Sequence, residues 1–348
     1  MPLSKIQFGN TGRRNMIING DMQVAQRGTS GTPTDSFVSL DRFRGRTYGG
    51  SGRFTMEQVS GGDGGVNIPN GEFGKAMKLT VTTAAASVDA YDYSITKSIE
   101  ADTFAKLGWR RNEASEALKR CTVSFHMKKS IAGVYSVSMR ANGGGRSIVK
   151  ETPSITANTW TKVVLTFVGD TNTTWRSLGN GVGCLFEINL GRSNAKNTST
   201  LNVHQTGNKV ASDNQARWIG TNGATFFLTG LQIEEGDAAT DFEHRSYGEE
   251  LSLCQRYFYK WINTGLSDQY NFYSPYTPAQ VSAGLPNSSA IRPMTFPVTM
   301  RAAPTMTTTL NTGTLNRQTS TPFGFVAQMG STSNGTAYIT QYLAAAEL

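Results

Sequence analysis

The sequence predicts an all-β protein: an antiparallel jelly-roll sandwich followed by one short helix and a smaller C-terminal β region. Three observations carry this. Apolar residues recur with period two in several runs, stretches rich in Gly, Asn, Asp and Ser separate those runs, and only 17% of the 348 residues are charged while 38% are hydrophobic. Such a balance suits many short strands better than long charged helices.

The runs can be taken in order. In Cys121–Lys129 (CTVSFHMKK), Cys121, Val123, Phe125 and Met127 share one face, and Thr122, Ser124, His126 and Lys128 the other. A half-buried strand is expected, with His126 facing solvent or bonded locally. TKVVLTF turns Val163, Leu165 and Phe167 inward. CLFEINL does the same with Cys184, Phe186, Ile188 and Leu190, against Glu187 and Asn189. TFFLTGLQIEE aligns Phe227, Leu231 and Ile233, with Thr229 on the same side. The intervening SGGDGGVNIPNGEFG, RANGGGRS and GDTNTTWRSLGNGVG read as turns, where glycine accepts positive φ at no steric cost. Helical signal is scarce. The stretch Asp102–Arg120 can supply one short helix, NEASEALKR. A longer helix is expected from about Tyr247 to Trp261: Ser246 and Glu249 have capping-box spacing, and Tyr247, Leu251, Cys254, Phe258 and Trp261 form an apolar stripe.

Charge and cysteine usage narrow the function. The net charge of +8 favours an acidic partner. The basic residues nevertheless occur in small groups (Arg13-Arg14, Arg42 to Arg46, Arg110-Arg111, Lys128-Lys129) without a nucleic-acid-binding module, so an anionic glycan or lipopolysaccharide fits better than nucleic acid. Cys121, Cys184 and Cys254 are odd in number and far apart, which implies no disulfide framework; buried, reduced packing residues are expected. The N-terminus lacks the apolar core of a signal peptide and no stretch is long enough to cross a bilayer, so a protein made in a cytosol and not inserted into a membrane is expected.

Enzymatic motifs are missing. There is no GxSxG elbow, no HExxH, no CxxC and no phosphate loop, and His126, His204 and His244 lie in separate segments. No catalytic residue, metal site or cofactor is expected. Asp237, Asp241, Glu243, Glu249 and Glu250 cluster as a glycosidase pair might, yet acidic turns and the helix cap account for them. Asp89 and Asp92 could offer oxygen to calcium, but no EF-hand loop accompanies them. Aromatic residues give the better binding signal: Trp175 in a polar turn, and Tyr270, Tyr273 and Tyr276 in DQYNFYSPY. Flat rings beside Asn, Asp and Arg suit sugar faces, and equally suit a subunit interface.

Six strings occur in order: NMIINGDMQVAQRGT (Asn15 to Thr29), LDRF (Leu40 to Phe43), TVSFHMKKS (Thr122 to Ser130), TWTKV (Thr159 to Val163), LTGLQIEEGDAATDFEHRSYGEELSLCQRYF (Leu228 to Phe258) and MRAAPT (Met300 to Thr305). Together they resemble a family of tailed-bacteriophage and prophage virion proteins, usually described as tail-fibre or structural proteins. The resemblance runs from about Asn15 to the C-terminus. It implies a jelly roll similar to carbohydrate-binding modules, displayed on a virion, as a homotrimer. In its terms Asn19, Gly20, Asp21, Gln26 and Arg27 shape an early strand and turn, and LQIEEG is the last strand of the roll. With the shift in composition after the helix, the expected organisation is an arm over 1–14, a jelly roll over 15–246, a connecting helix over 247–262 and a C-terminal β domain over 263–348. The arm, with Ile6, Phe8, Arg13 and Arg14, would dock on another virion protein; alternatively the protein sits directly on the particle. The expected function is a short tail fibre or fibre tip contacting host-surface polysaccharide, with a structural head or tail decoration as the alternative and a glycan depolymerase behind both.

Overall fold

The computed structural model describes residues 13–62, 67–86, 92–109, 118–172, 175, 179–191, 194–262, 271–272, 290–310, 314–330 and 337–348. The chain divides into two compact units, Met1–Ser246 and Tyr247–Leu348.

The first unit contains β1 (Ser30–Gly31), β2 (Arg44–Tyr48), β3 (Arg53–Ser60), β4 (Lys75–Thr83), β5 (Asp92–Glu100), β6 (Cys121–Lys129), β7 (Ser136–Ala141), β8 (Arg146–Glu151), β9 (Thr161–Phe167), β10 (Val182–Gly191), β11 (Asn197–Thr198), β12 (His204–Thr206), β13 (Ala211–Ser212) and β14 (Thr225–Glu235). They build two six-stranded antiparallel sheets, ordered β1-β3-β4-β14-β6-β9 and β12-β8-β7-β10-β5-β2. This is the jelly-roll sandwich that the alternating runs predict. Phe54, Phe125, Met127 and Phe226 of the first sheet meet Ile95, Met139, Phe186 and Ile188 of the second in one buried core. Trp218 closes that core edge-on to Phe54 and Phe226, at 5.8 and 6.3 Å between ring centroids. All three cysteines are buried and free. The short helix is α1 (Ala101–Phe104), upstream of NEASEALKR, most of which lies outside the described residues.

One register differs from the sequence reading. On β14, Thr229 pairs with His126 but Gln232 pairs with Ser124, so one extra residue is accommodated between them. Gly230 sits at this bulge with φ +62°, and a β-carbon there would lie 2.5 Å from Phe73 Cζ. Because a one-residue slip exchanges the two faces of a strand, Phe226 and Leu228 face the core before the bulge, and Leu231 and Ile233 after it. Phe227 therefore points away from the core, not into it as strict alternation from Leu231 suggests.

The N-terminal segment completes the first sheet. β4 pairs with β14 only as far as Leu228; beyond it, the segment from Asn15 to Gly20 takes over that edge. The Asn15 side chain accepts from Ile233 N (3.1 Å) and donates to Leu231 O (3.2 Å), as a strand peptide would. Met16 N donates to Ile233 O, and Leu231 N to Gly20 O. A β-carbon on Gly20 would lie 2.2 Å from Leu231 O, so this approach requires glycine. Buried Asn19 then ties the turn together, donating to Val24 O and Asp41 O and accepting from Val24 N. Asp41, of LDRF, accepts in turn from Gln26 and Arg27.

A second buried tether is Lys129. Its side chain is fully buried, and its ammonium donates to Ile131 O, Gly133 O and Ile155 O, each at 3.0 Å, above the Tyr135 ring. Three carbonyls match its three N–H groups, while burial lowers its pKa to about 8.

The second unit begins with α2 (Tyr247–Gln255) and continues through β15 (Phe258–Ile262), β16 (Asn271–Phe272), β17 (Ala290–Thr295), β18 (Thr305–Leu310), β19 (Thr314–Thr321), β20 (Gly324–Gly330) and β21 (Ala337–Ala345). β21 pairs with β15, β16 and β18, and a three-stranded sheet runs β17-β20-β19. The helix is shorter than its apolar stripe suggested. FYKWI is aromatic and β-rich and pairs with β21 from Phe258↔Ala345 to Ile262↔Gln341. Phe258 and Trp261 thus belong to a strand, Trp261 stacking on Tyr342 at 5.4 Å, while Tyr247 is 58% exposed. Arg301, of MRAAPT, donates to Ala346 O (2.8 Å) and Glu347 O (3.1 Å) and so fixes the C-terminal residues.

Three substitutions test this account in urea unfolding. Gly20→Ala should cost about 3 kcal/mol by forcing the N-terminal segment off β14, whereas Gly74→Ala, whose nearest neighbour is 3.9 Å away, should change stability by less than about 0.5 kcal/mol. Lys129→Met should cost about 3 kcal/mol, because three inward carbonyls lose their donor.

Candidate functional site

The outward turn of Phe227 gathers aromatic and charged side chains on the outer face of the first sheet. Register places Glu57, Lys78, Phe227 and Lys128 side by side across β3, β4, β14 and β6. Trp160, one residue before β9, closes the row. The Lys128 ammonium lies over both rings, 4.8 Å from the Phe227 centroid and 5.8 Å from that of Trp160; the two rings are 6.0 Å apart. Phe227 is buried and backs the row, while Trp160 is half-buried and its buried Nε1 has no acceptor among the described residues. In the next row Lys162 pairs with His126, and Val164 beside it is 45% exposed. Lys78 is neutralised by Glu57 at 3.1 Å. Lys128 and Lys162 have no carboxylate partner among the described residues. An aromatic ring with two uncompensated ammonium groups can stack on a sugar's C–H face and attract an anion.

The same face is closed at its other end. Phe73 packs against His126 (5.4 Å), His244 (5.7 Å) and Phe242 (5.2 Å). This cluster buries His126, so that of the two expected surroundings, solvent or a local partner, solvent is excluded, and it brings His126 and His244 together around one ring. His204 lies elsewhere.

The outer face of the second sheet is polar but shut. Ser94 and Thr96 of β5, Glu187 and Asn189 of β10, and Ser136, Ser138 and Arg140 of β7 alternate away from the core, and all are buried. The segment 194–215 bonds to this sheet at several points. Ser136 Oγ bonds Ser212 Oγ (3.2 Å), Gln215 Nε2 donates to Asn189 O (3.1 Å), and Ser147 Oγ donates to Gly207 O (2.8 Å). Beneath it Arg140 donates twice to Glu187 Oε2, at 3.1 and 3.2 Å. This face is closed to a polysaccharide chain.

Trp175 is not a surface platform, contrary to the sequence expectation. It is 2% exposed, donates from Nε1 to Asp170 Oδ2 (3.0 Å), and packs edge-on to Trp109 at 5.2 Å. Trp175 is held inward by Asp170, which also meets Arg146 (2.6 Å) and lies 3.5 Å from His204 Nδ1. Tyr270, Tyr273 and Tyr276 lie outside the described residues, as do Ile6 and Phe8. Arg13 is exposed. Arg14 is engaged within its own unit, donating to Asp241 O at 2.8 Å and lying 3.6 Å from Glu234. Of the acidic cluster, Glu243 accepts from Asn15 N (2.5 Å) and faces Arg245. Asp92 is bound by Lys196 and Arg46, not arranged around a cation. Among the described residues no group of three or more His, Cys, Asp or Glu is placed to hold a metal ion.

No protein-family model matches the chain, and no curated protein sequence matches it. Among solved structures it is similar to the enzymatically active domain of tailspike protein 4 from bacteriophage CBA120, with 12% identity over 64% of this chain and 21% of that one, at a TM-score of 0.32. The chain therefore spans about a fifth of that tailspike chain. It is also similar to carbohydrate-binding module CBM61 in complex with β-1,4-galactotriose (11% identity, 64% of this chain, 99% of that one, TM-score 0.29). A third likeness is to a xylan-binding CBM22 domain from Paenibacillus barcinonensis (12%, 62%, 100%, TM-score 0.28).

The buried histidines give the first unit a directional pH response. Burial lowers the His126 pKa, with Glu72 raising it and Lys162 lowering it again. Burial likewise lowers that of His204, against the raising effects of Val168 O and Asp170. Asp170 is held below the usual carboxylate value: burial raises it, but Arg146, Trp175 and His204 outweigh that effect. Below the ordinary histidine value of 6.5, the unfolded chain takes up protons that the folded chain refuses, so stability falls on acidification. The Asp170 contribution is lost at still lower pH, as its carboxylate protonates. Thermal midpoints should therefore be lower at pH 5 than at pH 7.5, and His126→Gln should narrow that difference.

Proposed function

We propose that this chain is a virion structural protein of a tailed bacteriophage, a short tail fibre or fibre tip, whose jelly roll binds host-surface glycan without cleaving it. The observation that carries the binding assignment is the row of Phe227, Lys128 and Trp160, aromatic and cationic side chains held on a rigid sheet, where a sugar can stack without ordering a loop. The six-string sequence resemblance supports the virion assignment. The same resemblance supports homotrimeric display, which would make a second and third contact intramolecular and raise avidity. The stretch Tyr270 to Tyr276 belongs to this proposal as a second contact region, and Met1 to Arg14 as the arm toward other virion proteins.

The test is binding of the full chain to host cells and to extracted surface polysaccharide, with the glycan's length followed in parallel. Trp160→Ala should weaken binding roughly tenfold at an unchanged unfolding midpoint, with the polysaccharide intact. Shortening of the glycan would convert the reading to a depolymerase; no binding by the correctly folded protein would leave the decoration role.

A further inference from the structure

We infer that the glycan recognised by the Trp160 row carries an anionic group, a carboxylate or a phosphate, seated between Lys128 and Lys162. This inference deepens the reading above and rests on it.

Charge pairing on the described surface supplies the argument. Lys78 faces Glu57 at 3.1 Å, Lys119 faces Glu235 at 3.0 Å, and Lys196 faces Asp92. Each is compensated within the protein. Lys128 and Lys162 are not so paired, although they lie on adjacent strands of one face: Lys162 is opposite His126, two residues before Lys128. Diagonal neighbours of this kind have Cα atoms roughly 7–8 Å apart, within reach of one bridging anion for two long side chains. Neither nearby carboxylate forms an ion pair with Lys128 or Lys162 among the described residues. Glu57 stands at the far end of the row and is committed to Lys78, and Glu72 acts on His126, whose pKa it raises.

The apolar contacts fix where the sugar ring would lie. Phe227 and Trp160 hold the Lys128 ammonium from beneath, leaving its outer side for an anion. Trp160 and the exposed Val164 flank Lys162 in sequence and on the same face, offering apolar surface beside the charge. A neutral polysaccharide would use the rings and leave both ammonium groups uncompensated; an acidic sugar uses both.

Binding of the full chain can be measured to polygalacturonate, to phosphate-bearing lipopolysaccharide core and to neutral galactan, each at low and high salt. The expected result is tighter binding to one or both acidic glycans than to galactan, weakened by salt. The double variant Lys128→Gln/Lys162→Gln should lose roughly tenfold or more. Lys106→Gln/Lys209→Gln carries the same change in net charge and should bind as the unaltered protein does. Preference between the first two probes separates carboxylate from phosphate recognition. Equal loss in both double variants would mean diffuse attraction to a basic protein and would overturn the site. Galactan bound as tightly as the acidic glycans, with loss in Trp160→Ala, would overturn the anionic class and keep the glycan reading. Failure to bind any of the three, or host polysaccharide, would remove both.

Discussion

The first unit depends on one contact, the laying of the N-terminal segment along β14. β14 occupies a central place in its sheet, between β4 and β6, but β4 stops short of its second half. That half would expose unpaired backbone at a buried position, a cost too high for a stable sandwich. The Asn15 amide supplies the missing donor and acceptor, and Gly20 allows the close approach. Gln232 and Glu234, on the outer side of the same half-strand, bind Thr240 and the Glu243 backbone. The two strings that resemble phage virion proteins most specifically, Asn15 to Thr29 and Leu228 to Phe258, therefore overlap the two sides of one joint. Their residue identities answer to geometry: an amide that imitates a strand, a glycine without a β-carbon, and carboxylates that receive turn N–H groups.

The bulge at Gly230 has a second effect, on the surface. It lets β14 keep apolar residues inward on both sides of a register change, and it turns Phe227 outward beside Lys128. It also admits Phe73, whose ring anchors the cluster over His126. One glycine thus separates the face into a closed aromatic end and an open aromatic-cationic row. The other sheet shows the opposite outcome. Its outward residues are as polar as alternation requires, yet they are buried, and Ser136 and Arg140 spend their polarity on bonds within the protein.

Much of the fold was legible from alternation. The inward sets of β6, β9 and β10 are those that the sequence marks, because their pairing is regular and a regular strand has a side-chain period of two. Legibility failed where a non-local contact decided the outcome. Nothing local announces that Thr229 and Gln232 span a bulge, so Phe227 was assigned inward. Phe258 and Trp261 fit a helical stripe as well as a strand, and β21, more than seventy-five residues downstream, decides between them. Trp175 stands in a polar turn that looks exposed; the carboxylate that draws it inward is five residues away, but Arg146 and His204, which hold that carboxylate, are not neighbours in sequence. The candidate row was hidden for the same reason. Glu57, Lys78, Lys128, Trp160 and Phe227 become adjacent only through strand order. The signal that could have found them was the pairing of TVSFHMKKS with TWTKV, two strings of the same resemblance.

The direction of the terminal joint has a mechanical consequence. Asn15 meets Glu243 and Ile17 meets Arg245, so the incoming and outgoing segments of the first unit run parallel. Tension applied between the chain before Arg14 and the chain after Ser246 would draw them past one another in shear. The bonds from Asn15 N to Glu243, from Arg245 to Asn15 O and Ile17 O, and from Arg14 to Asp241 O would then be strained together, not unzipped in turn. Such an arrangement resists pulling along the chain far better than it resists peeling.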